Sequence, residues 1–240
     1  MAKKKKKIRS MSQSSIYILH GWTQTLNKWA NFAKKLESKG FEIKLLKIPG
    51  LTEKIDRIWG IDDYVKWLGE NLKREKGKII LIGHSNGGRI ALNFAIKHPE
   101  KISKLVLIDS AGIYHSDIII RTKRSVFFIL AKIGRKVIPL DGARKLLYFL
   151  TGEKDYKTAD SIMKKTMINL IQSDKSLLIE KVKVPTIIIW GENDNITPLS
   201  DAEVLSGKIK NSKLYVIDGA KHAPQFTHTK GVVNKILEEV

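Results

Sequence analysis

The 240-residue sequence contains no cysteine. That excludes disulfides, thiolate nucleophiles and Cys-ligated zinc together, and it fits a reducing compartment. Acidic residues are scarce: 24 Asp and Glu face 44 Lys and Arg, for a formal charge of +20. A surplus of this size raises nucleic acid or an anionic membrane as partners. Lys3 to Lys7 and Arg9 supply six of these charges, and the rest of the chain still carries +14. The remaining lysines fall mostly on predicted helix faces and ends. Neither an aromatic-interleaved basic patch nor zinc-finger spacing is present, so no nucleic-acid partner is expected. Weak contact of Lys3–Lys7 with an anionic membrane is the one charge-driven interaction suggested. Long apolar runs are missing as well. Val126 to Ala131 falls far short of the ~20 residues of a membrane span. The basic N-terminus is not followed by the ~7–15 apolar residues of a signal peptide. A cytoplasmic protein with a flexible basic tail over residues 1–14 is expected.

What is present is enough hydrophobic residue, 42%, to fill the core of one domain. Short apolar runs alternate with amphipathic segments. Strands are predicted at residues 15–19, 41–48, 78–82, 104–109, 186–190 and 213–217. Helices are predicted at 27–39, 62–75 (with Asp62 as N-cap), 86–97, 198–208 and 229–239. This alternation implies βαβ units and a mostly parallel sheet of about six strands, flanked by helices. Between residues 112 and 182 the pattern is helical without strands. It reads as a cap inserted between strands, with the core formed by residues 15–111 and 183–240. Ligands of open α/β sheets bind outside the carboxyl ends of the strands, so such a cap would roof the site.

Gly83-His84-Ser85-Asn86-Gly87-Gly88 links a predicted strand to a predicted helix, and this is the G-x-S-x-G pattern in the context that gives it meaning. The tight turn strains the serine backbone and presents its hydroxyl over a helix N-terminus. A phosphate-binding loop is excluded, because Arg89 follows Gly88 where Lys-Ser/Thr would be needed.

A serine hydroxyl needs a base to become a nucleophile. His222 follows the strand at 213–217 and so lies at the same sheet edge as Ser85. His84 is inside the turn, His98 caps a helix before Pro99, and His115 and His228 lie in loops; none of these is placed to reach Ser85 as a base. The base in turn needs a carboxylate to hold its tautomer. Asp194 follows the strand at 186–190. Two other carboxylates compete: Glu192, which is close to that strand, and Asp109, which ends the strand at 104–109. Negative charge on an acyl oxygen calls for two N–H donors. Asn86, next to the serine, supplies one; Trp22 in His20-Gly21-Trp22, after the first strand, supplies the other. No His/Asp/Glu cluster with metal-ligand spacing is evident, and no metal is expected.

Taken together, His20-Gly21-Trp22, Gly83 to Gly88, Leu105 to Asp109, Gly191 to Pro198 and Gly219 to Pro224 resemble the α/β-hydrolase family, in its esterase and lipase-like branch with a helical cap. The resemblance implies a serine esterase with the triad Ser85–His222–Asp194 in the family's chain order and an acyl-enzyme intermediate. It also implies no cofactor. Some members of the fold keep the acid where Asp109 stands. Three departures are visible. The first two strands usual in the family are absent or rudimentary, and Lys221 stands before His222 where glycine is common. The motifs also do not separate esters from lactones, thioesters or carbon–carbon cleavage substrates. The expected substrate is a small-molecule ester of small or medium acyl length. Phe127 and Phe128, within a basic amphipathic stretch of the cap, are candidates to wall its pocket. The same stretch allows a different class of function, a non-catalytic ligand-binding or membrane-surface module.

Overall fold

The computed structural model describes residues 15–22, 26–114 and 161–240. Six strands form one sheet: β1 (Ser15–Leu19), β2 (Glu42–Leu45), β3 (Ile79–His84), β4 (Ile102–Ile108), β5 (Thr186–Gly191) and β6 (Ser212–Ile217). The order is β2-β1-β3-β4-β5-β6, and every pairing is parallel.

The strand sequences explain why both faces are covered. Side chains alternate between faces along a strand. Ile16, Ile18, Ile80, Ile82, Val106, Ile108, Ile187 and Ile189 point to one side. They meet Trp29, Phe32 and Leu36 of the helical segment around α1 (Ala30–Glu37), and Val232, Val233 and Ile236 of the C-terminal helix. Tyr17, Leu19, Leu81, Leu105, Leu107, Ile188 and Trp190 point to the other side. There they meet α2 (Ile61–Asn71), α3 (Asn86–Lys97) and Leu205 of a later helix. Because neither set is polar, the sheet has no face that water could cover, and helices must cover both.

Among the described residues between β4 and β5, α4 (Ser161–Ser173) is followed by two short 3₁₀ turns. After β5 come α5 (Leu199–Lys208), β6, α6 (Pro224–Thr227) and α7 (Thr229–Leu237). No described helix is long and apolar enough to cross a membrane.

Three expectations need correction. The N-cap of α2 is Gly60 rather than Asp62. The Asp63 carboxylate accepts the Gly60 N–H at 2.8 Å, which leaves Asp62 outside to pair with Lys97. The second strand, predicted over residues 41–48, spans only Glu42–Leu45; β2 is the sheet's outer strand and pairs only with β1. A short helix, α6, also intervenes after β6, started by Pro224 at its first turn.

Candidate active site

With all strands parallel, their carboxyl ends share one edge, and each carries a loop to the same place. At β3 the chain turns directly from strand into α3. Ser85 occupies the turn with φ 52°, and Asp109, at the end of β4, has φ 41°. These are the two non-glycine residues with positive φ among those described. Such backbone costs of order 1–3 kcal/mol each and persists only where the surroundings impose it. The Ser85 N–H donates to Ile108 O at 3.1 Å, and Ser85 O accepts from Ala111 N at 2.9 Å. Closeness here demands glycine. A Cβ on Gly87 would lie 2.1 Å from Leu19 O, and one on Gly83 would lie 2.7 Å from Gly87 O.

The structure brings Ser85, His222 and Asp194 together. His222 Nε2 lies 3.0 Å from Ser85 Oγ, and His222 Nδ1 lies 2.7 Å from Asp194 Oδ2. Asp194 is held in an Asx turn. Its Oδ1 accepts from Ile196 N at 2.7 Å and Thr197 N at 3.1 Å, and its Oδ2 accepts from Thr197 Oγ1 at 2.7 Å. Burial pushes the Asp194 carboxyl up. The bond to His222, the charge of that imidazole, and the donors from Thr197 and Ile196 outweigh it and hold the group below the usual carboxylate range. An ionised Asp194 only accepts, so the Nδ1 proton faces it and Nε2 is left to accept from Ser85.

Asp109 is placed differently. It is fully buried, its Oδ1 accepts from Gly191 N at 2.8 Å, and its Oδ2 has no partner. Burial first, and the Asp194 charge second, push its carboxyl up to about 8. Glu192 is exposed and turned away, accepting from Gly219 N at 2.8 Å.

The sequence places His84 in the turn, and the structure shows that it also braces His222. Its Nε2–H donates to His222 O at 2.8 Å, and its ring lies 5.1 Å from the His222 ring. Trp29 and Phe226 flank it, at 5.9 and 6.4 Å. Burial pulls His84 down to about 3, with the His222 charge adding to the effect, so it stays neutral. Its donor atoms, with those of Asp109 and His222, lie within 4.8 Å of one another, close enough to suggest a metal site. The three residues are distant in sequence, so spacing could not reveal the group. Both nitrogens of His222 already face Ser85 and Asp194, and His84 Nε2 faces a carbonyl. These donors fit a support for His222 better than a ligand set.

As the first residue of α3, Asn86 offers a main-chain N–H of the kind that has no intrahelical partner. Trp22 is half-buried in the loop after β1. That loop abuts the turn: a Cβ on Gly21 would lie 2.9 Å from Ser85 Cβ. Phe127 and Phe128 lie outside the described residues.

Known proteins are similar to this chain. A curated relative, the 2-hydroxy-6-oxononadienedioate/2-hydroxy-6-oxononatrienedioate hydrolase 1 of Pseudomonas putida, is 24% identical over 94% of this chain and 87% of its own length. The monoacylglycerol lipase ABHD6 of Homo sapiens is 26% identical over 93% of this chain and 74% of its own. Among solved structures, an esterase from Exiguobacterium antarcticum superimposes with a TM-score of 0.71 at 21% identity, covering 94% of this chain and 91% of that one. The family profile described as alpha/beta hydrolase fold matches residues 15–145 and 142–229. The chain therefore belongs to the alpha/beta hydrolase fold family.

Proposed function

We propose that the chain is a serine hydrolase of small or medium carboxylic esters, with Ser85 as nucleophile, His222 as general base and Asp194 as the acid that orients it. The observation that carries this reading is the continuous path from Ser85 Oγ through both nitrogens of His222 to Asp194, at 3.0 and 2.7 Å. Ser85 Oγ attacks the acyl carbon while its proton passes to His222 Nε2. The new oxyanion faces the N–H groups of Asn86 and Trp22, donors worth several kcal/mol in such a site. The intermediate collapses, the C–O bond breaks, and His222 returns the proton to the leaving alcohol. Water then repeats the sequence on the acyl-enzyme and releases the carboxylic acid. Asp194 stays ionised throughout and stabilises the imidazolium. Residues 112–182 form the roof of the acyl pocket on this reading, with Phe127 and Phe128 against the acyl chain. Residues 1–14 take no part.

A second reading keeps Ser85 and changes the bond. The Pseudomonas relative is named for an oxo-dienedioate substrate, which supports carbon–carbon bond hydrolysis as the alternative. Purified protein assayed against p-nitrophenyl esters, lactones, thioesters and an oxo-dienoate distinguishes them. Ester turnover that falls about 10⁴–10⁶-fold in Ser85→Ala is the expected result. Turnover of the oxo-dienoate alone selects the second reading. Ester turnover that survives Ser85→Ala overturns both.

A further inference from the structure

The first turn of α3 holds a buried charge that the chemistry above does not use. Arg89 lies four residues beyond Ser85, and its side chain is only 9% exposed. Its Nε and Nη2 donate to both carboxylate oxygens of Asp174, at 2.7 and 2.8 Å. Its Nη1 donates to Asn86 Oδ1 at 2.6 Å. Removing two ions from water is expensive, and well-packed apolar residues often fill such a space at lower cost. The pair is therefore poorly explained by stability.

Its connections suggest another role. A guanidinium has only donors, so the bond to Arg89 decides which way the Asn86 carboxamide faces. The other end of that carboxamide, Nδ2, is buried and has no partner. The carboxamide thus gains one charge-assisted bond and leaves its own donor unmet, an arrangement that only a fixed Arg89 imposes. Asp174 fixes it. This carboxylate lies in the 3₁₀ turn Asp174–Ser176, directly after α4, on the segment that returns to β5. One guanidinium therefore joins the residue after Ser85 to the end of the long insertion.

We propose that Arg89, anchored by Asp174, is a positioning residue for Asn86, fixing the first turn of α3 where its main-chain N–H meets the oxyanion. This rests on the reading of Ser85 as the nucleophile. The donor matters most once charge has developed, so its misplacement slows the chemical step more than it weakens substrate binding. Among the described residues no hydrogen bond joins the pair to His222 or Asp194.

The test is a cycle of four proteins assayed on one soluble ester: wild type, Asn86→Ala, the double variant Arg89→Met/Asp174→Leu, and all three changes together. Removing both ions leaves no lone buried charge, and Asn86→Ala keeps the main-chain N–H. The double variant is expected to lose about 10–100-fold in kcat, with KM little changed and the acid limb of the pH profile unmoved. The triple variant is expected to be no slower than the slower of its parents, because the pair acts through Asn86. Losses that multiply in the triple variant overturn the proposal, as does an unchanged kcat in the double variant. Should the double variant fail to fold, Arg89→Lys is decisive. A lysine can keep the charge near Asp174 but cannot fork to Asn86 as well, so kcat falls while the melting temperature holds; a wild-type kcat overturns the proposal. Ser85→Ala serves as the control. Turnover retained there removes the nucleophile reading and this inference with it, whereas multiplied losses with Ser85 still essential remove this inference alone.

Discussion

At the scale of single residues, two buried aspartates sit beside His222 and their surroundings set them apart. Asp194 receives three donors in addition to His222 and is held ionised. Asp109 receives one and holds its proton to about 8. Asp194→Asn should lower kcat about 10⁴-fold, because an amide can hold His222 in the wrong tautomer. Asp109→Asn should cost far less, since its Oδ1 bond to Gly191 survives in the amide. Steady-state kinetics on one ester checks both, and the reverse ranking would move the acid to Asp109.

The proton on Asp109 also has a thermodynamic signature. An unfolded aspartate ionises near pH 4, whereas the folded one does so at about 8. Between those values the native state binds the extra proton, so the contribution of Asp109 to wild-type stability falls as pH rises from about 4 to about 8 and is level above that. Asp109→Asn has no proton to hold. Its stability relative to wild type should therefore climb across that window and then plateau, as read by urea unfolding at several pH values. His84 acts in the opposite sense, since its unfolded form takes up a proton below about 6.5 and its folded form only near 3. That contribution is lost as pH falls and cancels in the comparison with wild type. A difference that does not vary with pH would contradict the protonated state of Asp109.

At the scale of elements, the turn from β3 into α3 depends on bare backbone. Gly87→Ala would force a Cβ to within 2.1 Å of Leu19 O, so β1 or α3 must move. A loss above about 3 kcal/mol is expected, since backbone cannot yield as a side chain does. Gly231→Ala is the matched control. It lies within α7 with nothing inside 4 Å of the added Cβ, and it should gain about 0.5–1 kcal/mol from helix propensity. Thermal unfolding of the two variants measures both; equal effects would mean that the tight approach is relieved cheaply.

Most elements were legible in the sequence because their signals are local. Unbroken apolar strands and the glycines around Ser85 fix β3 and α3, and α3 runs from Asn86 to Lys97 as the periodicity predicts. The loop positions of Asp194 and His222 follow from the strands that precede them. What escaped depends on contacts far apart in sequence. His84 meets the carbonyl of His222 138 residues on, and Arg89 meets Asp174 85 residues on. No spacing rule connects such pairs. The turn that holds Asp194 was within reach, since a loop Asp commonly accepts the backbone N–H two residues on, as Asp194 does from Ile196. The cap of α2 was misjudged because two aspartates stand together and only Asp63 can turn back to Gly60.

At the scale of the whole molecule, six of the twenty surplus positive charges lie in the tail. The cluster Lys3–Lys7 precedes β1 in the sequence, while Ser85, Asp194 and His222 follow the carboxyl ends of later strands. Deleting residues 1–10 should leave kcat on a soluble ester unchanged. The same deletion should weaken binding to anionic vesicles, by about 1 kcal/mol for each basic residue that lay near the surface. A changed kcat would tie the tail to the site.

The central claim is that Ser85 is activated by His222, and active-site labelling tests it most directly. A fluorophosphonate probe reacts with a serine whose proton a base can take. Wild-type protein should label once per chain, with the adduct on Ser85 by peptide mass spectrometry. Ser85→Ala should not label, and His222→Ala should label far more slowly with its fold retained. Labelling at another residue, or undiminished labelling in His222→Ala, would contradict the account.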